Sequence, residues 1–192
     1  MTTQPTVRVY YGFRSPYSRF GLHLIQRAGL DAELIPFTGP PAGSPFQDPA
    51  KNPAKINYLI HDAPRIARRM DLQFMFPDPV DVDFRPANKA AEAASQDGKG
   101  LAFAVAVSDA RWGDGQDISN LAVLETCAET AGWDPQKVAI AASDEAMAEA
   151  IKAQRTLIEQ DQVFGVPFFV VGDQRYWGHD RVSMMLEDLG LK

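Results

Sequence analysis

Residues 15–18 read "SPYS" and lie between the apolar run "VRVYYGF" (7–13) and "YSRFGLHLIQRAGL" (17–30), whose apolar residues recur at helical spacing. A strand running into Cys-Pro-Tyr-Cys and then a helix would be a redox-active dithiol loop. Here the spacing, the proline and the tyrosine stand, but serine oxygens occupy both sulfur positions. The question is what chemistry a strand-to-helix junction retains when its thiols are gone.

Working outward, the first segment reads β-α-β. "TVRVYYGF" is rich in β-branched and aromatic residues, the helical pattern ends at Gly29, and "AELIPF" is a second short strand. Pro16 suits a first helical turn, where its missing N–H costs nothing. Residues 38–53, "TGPPAGSPFQDPAKNP", form a Gly/Pro-rich loop. From about 54 to 160 the pattern is helical throughout: "KINYLIHDAPRIARRMD", "PANKAAEAASQDG", "KGLAFAVAVSDARWG", "ISNLAVLETCAETAG", "DPQKVAIAA" and "SDEAMAEAIKAQRTLIEQD". Ser119 and Ser143 are the expected helix N-caps, and the acids of "SDEA" suit a first turn. The tail, "VPFFVVGDQRYWG" then "DRVSMMLEDLG", reads as a β-hairpin and a closing helix. The expected fold is therefore α/β, a thioredoxin-like domain of residues 1–53 and 161–192 interrupted by an all-helical insertion, 54–160.

Composition narrows the function classes. The 192 residues are 45% hydrophobic, enough for a packed core. A net charge of −6 with no basic stripe argues against nucleic acid or an anionic membrane as partner. "RIARR", flanked by Asp62 and Asp71, reads as a solvated helix face. "MTTQPT" carries no leader pattern and no apolar run nears the ~18 residues of a membrane span, so a cytoplasmic protein is expected. The single cysteine, Cys127, lies in a helical pattern and is expected to be buried and inert. No metal cluster is expected.

Three places carry chemistry. Ser15 stands at the amino end of the first helix, where free N–H groups and the dipole favour an anion; its alternative role is a plain N-cap. "FGVPFFVV" puts Val166-Pro167 before a strand. Read without the fold, this is a trans proline opening an edge strand; within the fold it takes the position of a cis-proline loop facing the first helix. In "YWGHDRVSMML", His179 or Asp180 begins the last helix, with Asp180 a good N-cap and that helix start a candidate site for a ligand's α-amino and α-carboxylate groups.

Four segments together, "SPYS", "KINYLIHD", "RWGDGQDIS" and "FGVPFFVVGDQRYWGHDR", resemble the 2-hydroxychromene-2-carboxylate isomerases and the related kappa-class glutathione transferases, within the disulfide oxidoreductase superfamily. The chain departs from that pattern at Gly12, where the isomerases usually carry Asp, at His179, where Asn or Ser is usual, and in Arg14 and Arg19, which are expected to add charge around the Ser15 site.

What the resemblance implies is specific. Glutathione brings the missing thiol, held by Lys55, the Val166 backbone beside Pro167, and His179, Asp180 and Arg181. Ser15 donates a hydrogen bond to its sulfur. A thiol of pKa ~8.5 is only about 3% ionised at pH 7, and a shift of about two, roughly 2.7 kcal/mol, makes it mostly thiolate. The implied reaction is cis–trans isomerisation with ring opening of a small aromatic substrate by thiolate addition and elimination. Arg85, Asn88 and Lys55 are candidates to stabilise the enolate, with a solvated charge the alternative role of Arg85 and Lys55. A homodimer is implied too, and the apolar "MDLQFMFP" (70–77) is its candidate surface, core burial being the alternative. The competing readings are a kappa-like glutathione transferase and a non-catalytic thioredoxin-like binding module; disulfide exchange is disfavoured because the loop has no cysteine.

Overall fold

The computed structural model describes residues 6–44 and 51–191. The expectations for "MTTQPT" and for 45–50 of the Gly/Pro-rich loop therefore fall, wholly or in large part, outside the described residues. Four strands form one sheet: Val7–Tyr11 (β1), Ala32–Pro36 (β2), Phe168–Val171 (β3) and Gln174–Trp177 (β4), in the order β2-β1-β3-β4. β1 runs parallel to β2 and antiparallel to β3, so chain ends far apart in sequence meet at the central strand pair. The β3–β4 hairpin turns at Gly172 and Asp173, with Val171 opposite Gln174.

The alternation of side chains along the strands divides the core in two. Val7, Val9, Tyr11, Phe169 and Val171 face a large cluster, and Tyr10, Ile35, Phe168 and Val170 face a smaller one completed by Ile158 and Val163. The large cluster runs on into the helical block. Helix Arg85–Gln96 (α3) contributes Ala87, Ala90 and Ala94, small residues that let neighbouring helices come close. Helix Gly100–Trp112 (α4) is buried on nearly every side, as its apolar sequence requires. Leu121–Thr130 (α5) adds Leu124 and Cys127, and Gln136–Ser143 (α6) adds Val138.

Two helix starts differ from the reading of the sequence. Ser119 gives its hydroxyl to Asp117 Oδ1 at 2.7 Å, and Asn120 caps α5 by accepting from the Ala122 N–H at 3.0 Å. Ser143 ends α6, its hydroxyl spent on the Ala139 and Ile140 carbonyls, and Asp144 caps the next helix at 2.8 Å. A hydroxyl satisfied by a nearby acceptor is lost to the cap. The long pattern at 143–161 also divides, into Glu145–Ala153 (α7) and Arg155–Gln160 (α8). The bend at Gln154, whose side chain bonds Glu92 at 2.8 Å, swings Ile158 under the second face of the sheet. Asp161 then meets the Tyr10 hydroxyl at 2.5 Å and Arg8 at 3.4 Å.

Two helices matter for the site. Pro16–Arg27 (α1) follows β1 directly, and Pro53–Arg69 (α2) opens the helical block. Each starts with proline behind a polar cap, Ser15 and Asn52. The last helix, Val182–Asp188 (α9), follows a 3₁₀ turn at His179–Arg181.

Candidate active site

The junction of β1 and α1 is a tight, internally bonded turn. The Ser15 N–H donates to the Gly12 carbonyl at 3.0 Å, and the Gly12 N–H donates to Ser18 Oγ at 3.2 Å. Ser18 is fully buried, so the second serine of the motif is structural. Ser15 is half-buried and its Oγ accepts from the Ser18 N–H at 3.2 Å. It is therefore an N-cap, yet the cap uses only a lone pair, and the hydroxyl proton is left to donate outward. The Tyr17 N–H belongs to the same first turn, where no intrahelical carbonyl can serve it.

Three segments converge on this turn. The Val166-Pro167 peptide is cis, as the fold reading expects. Val166 comes up beside Gly12, its Cγ2 3.7 Å from where a Cβ there would stand. Pro167 lies against Gly21 of α1, where a Cβ would meet Pro167 Cβ at 3.1 Å and Phe169 Cζ at 2.8 Å. That glycine sits mid-helix at a cost of about 1 kcal/mol, and close approach is what it provides. The ladder of β3 and β4 stops at the Phe168–Trp177 pair, so the Val166 backbone lies past its last rung. The third segment is the start of the last helix: the His179 ring stacks on Tyr17 (centroids 5.7 Å, interplanar angle 21°) and meets Phe20 edge-on at 5.5 Å. Burial against these rings holds the His179 imidazole below its ordinary pKa.

The charged candidates are less gathered. Asp180 and Arg181 are exposed and pair at 3.0 Å. Asp180 is not the helix cap expected of it, because the chain passes through the 3₁₀ turn without a side-chain cap bond. Gly178, at φ 102°, admits this arrangement; a Cβ there would stand 2.5 Å from Asp180 Oδ1. Lys55 is exposed in the first turn of α2, where Asn52 Oδ1 accepts from the Ala54 and Lys55 N–H groups. Arg85 is exposed and held by both oxygens of Asp83, so its guanidinium is already engaged. Asn88 lies one turn further along α3 and is half-buried. Among the described residues no hydrogen bond joins Lys55, Arg85 or Asn88 to Ser15.

The inner face of α1 carries groups that sequence reading did not assign. Arg19 is buried, with Nε 2.6 Å from Asp109 Oδ1 and Nη1 donating to the Gln73 carbonyl at 2.7 Å. His23 Nε2 reaches the same Asp109 oxygen at 2.7 Å. Trp112 Nε1 donates to the Phe13 carbonyl at 2.9 Å, tying α4 to the residues just before Ser15. The tyrosine of the motif, Tyr17, donates to Asp62 Oδ2 on α2 at 3.0 Å, and burial and that carboxylate hold its phenol well above the usual range. The "RIARR" arginines Arg65, Arg68 and Arg69 are exposed, as expected of a solvated face. Within "MDLQFMFP", Leu72 and Phe74 pack with Phe20 while Met75 and Phe76 remain exposed, so neither simple core burial nor a continuous surface describes it. Cys127 is buried and its thiol is pushed up to about 12. Among the described residues no cluster of His, Cys, Asp and Glu could hold a metal ion, and no helix is long and apolar enough to cross a membrane.

This geometry agrees with what the chain is similar to. The DSBA-like thioredoxin domain matches residues 6–190, and the chain belongs to that family. It is 26% identical to a 2-hydroxychromene-2-carboxylate isomerase of Pseudomonas sp. (strain C18) over 96% of this chain and 90% of that protein. A solved 2-hydroxychromene-2-carboxylate isomerase superposes with a TM-score of 0.81 at 24% identity, covering 96% of this chain and 94% of that one. The cytosolic disulfide reductase DsbM of Pseudomonas aeruginosa, solved with GSH, superposes with a TM-score of 0.62 at 20% identity over 96% and 95% of the two chains.

Proposed function

We propose that the protein is a glutathione-dependent isomerase acting on a small aromatic substrate of the 2-hydroxychromene-2-carboxylate type. One observation carries the reading: the Ser15 turn, the Val166-Pro167 peptide and the start of the last helix all meet the first turns of α1. The relatives named 2-hydroxychromene-2-carboxylate isomerase support the reaction, and the GSH held by DsbM supports the cofactor.

The residues at the convergence suit a γ-glutamyl tripeptide. An outward hydroxyl and first-turn N–H groups suit a sulfur anion, backbone past the end of a ladder suits a peptide main chain, and the Asp180–Arg181 pair suits an α-amino and an α-carboxylate. When bound, glutathione supplies a thiolate able to add reversibly to an unsaturated substrate carbon, so that the former double bond can rotate. Ser15 lowers that thiol's pKa by donating to the ionised form, aided by the positive end of α1. The backbone of Val166 fixes the peptide, and Lys55 supplies positive charge from α2. Arg85 and Asn88 act on the substrate's developing enolate, Arg85 by exchanging its Asp83 partner. The glutathione pool makes the cytoplasm the working compartment, and the exposed Met75 and Phe76 are offered as part of a homodimer surface.

The test is a calorimetric titration with glutathione followed by a spectroscopic assay of 2-hydroxychromene-2-carboxylate. Saturable binding, with thiolate absorbance in the complex at a pH where free glutathione is protonated, is the expected result. No saturable binding would sink the reading.

A further inference from the structure

The tyrosine of "SPYS" has no part in the chemistry proposed above, yet three elements meet on it. Its ring meets His179, stacked at 5.7 Å, and Phe20, edge-on at 6.2 Å, and those two rings meet each other at 5.5 Å. Its hydroxyl reaches across to α2 and donates to Asp62 Oδ2 at 3.0 Å. Asp62 is buried, and Arg65, one turn on, bonds its other oxygen at 3.3 Å.

The placing of that bond within α2 gives it leverage. α2 docks by a stripe of Leu59, Ala63, Ile66 and Ala67 against Tyr17 and Phe20. Residues 53–58 before the stripe are all exposed, and Lys55 stands among them, about 10 Å up the helix axis from Asp62 at 1.5 Å per residue. Pro64 is inside the helix and has no N–H for the Ile60 carbonyl, so the backbone is weakest over 60–64. Asp62 lies in the middle of that weak turn.

We infer that Tyr17 is a positioning residue: its bond to Asp62 clamps α2 at its weak turn and thereby sets where the free amino-terminal turns, with Lys55, stand over the Ser15 site. Tyr17 touches neither the sulfur nor the substrate. It links α2 to the start of the last helix through the His179 stack, so both ends of a bound tripeptide are positioned from one ring. The role of Lys55 in this rests on the proposed glutathione reading; the clamp itself does not.

The experiment uses the full chain with Tyr17→Phe, Asp62→Ala and Asp62→Asn. It measures amide hydrogen exchange over residues 54–61, glutathione affinity, and the pKa of the bound thiol by ultraviolet absorbance. Tyr17→Phe and Asp62→Ala should speed exchange by about fivefold or more, and weaken glutathione binding about three- to tenfold. The bound thiol's pKa should match wild type. Asp62→Asn keeps a side-chain oxygen to accept from Tyr17 and should restore both readings. Unchanged exchange in Tyr17→Phe overturns the clamp. Faster exchange with unchanged affinity overturns its link to the ligand, and a moved thiol pKa would put Tyr17 in the reacting centre instead. Should wild type bind no glutathione, the proposed function falls, and the exchange measurement alone decides the clamp.

Discussion

Helices α1 and α2 begin alike, each with proline in its first turn behind a polar side chain that caps it. They end in opposite situations. Eight of the twelve residues of α1 are buried, against three of the seventeen of α2. α1 is fixed from below by Arg19 and His23 on Asp109, from the side by Pro167 and Phe169 at Gly21, and at its mouth by Trp112 on the Phe13 carbonyl. Among the described residues α2 rests on a short apolar stripe, the Tyr17 hydrogen bond to Asp62 and, at its far end, Arg27 on the Met70 carbonyl. A group that must tune a sulfur's pKa needs a fixed position, and Ser15 stands on the fixed helix. A charge that only attracts a ligand needs less exact placing, and Lys55 stands on the less buried helix.

The largest effect that this contrast implies is at Gly21. Gly21→Val puts a branched side chain where even a Cβ lies 2.8 Å from Phe169. It should destabilise the fold by about 3 kcal/mol, read as a lower urea midpoint. On α2, Tyr58 is 61% exposed. Tyr58→Ala should stay within about 0.5 kcal/mol of wild type. Equal losses in the two variants would break the contrast.

Next is Ser15, whose hydroxyl has a cap role and a proposed chemical role. Ser15→Ala should cost about 1 kcal/mol of stability. Glutathione should still bind, because the Val166 backbone and the start of the last helix remain. The bound thiol's pKa should rise by about one to two, with turnover at pH 7 falling roughly ten- to hundredfold. Ultraviolet titration of the thiolate measures this directly, and an unchanged pKa would leave Ser15 a cap alone.

How much of this was legible in the sequence follows from which signals are local. The β-branched and aromatic run at 7–11, the helix after Pro16 and the hairpin at 168–177 all reside in short windows, and they stand where those windows put them. The caps at Ser119 and Ser143 were misread because the neighbouring Asp117 and a free carbonyl compete for the same hydroxyls, which depends on geometry and not on residue type. The bend at Gln154 was invisible for a related reason: the helical pattern continues, and only the sheet face below draws Ile158 aside. At the site, Ser15 was readable from its place in a motif. Tyr17, Asp62 and Arg19 stand in or beside the same motifs, but their bonds were not readable, because the partners are 45, 45 and 90 residues away. One usable signal was present: Gly21, a glycine inside an amphipathic helix, marks close approach of another segment.

A smaller effect concerns pH. His179 is packed against Tyr17 and Phe20 on α1, with the carboxylates of Asp62 on α2 and Asp180 on its own turn nearby. Burial outweighs both carboxylates and lowers its pKa in the fold. The unfolded chain therefore binds more protons than the native one as pH falls through about 6.5, the ordinary histidine value, so native stability drops there and is unaffected above it. His179→Asn should flatten that acid-side loss in denaturant midpoints measured across pH 5 to 8, a window taken from the ordinary histidine value. An identical slope in both proteins would show the stack to be indifferent to charge.

The smallest effect is expected at Lys55, and its smallness is the point. Lys55 is exposed at the start of a helix whose residues 53–58 are all exposed, so Lys55→Gln should leave the denaturation midpoint within about 0.5 kcal/mol. A solvated charge acting on a ligand carboxylate works through a screened field, which at an ionic strength of about 0.1 M falls away over about 10 Å. Glutathione affinity should drop by only about two- to fivefold at low salt, the size of a surface ion pair. The difference from wild type should vanish as salt is raised. The bound thiol's pKa should not move, since Ser15 and the end of α1 set it. Calorimetric titrations of both proteins at two salt concentrations test this. A loss of affinity that persisted at high salt would mean that Lys55 is held in a desolvated contact, and that α2 is as firmly fixed as α1.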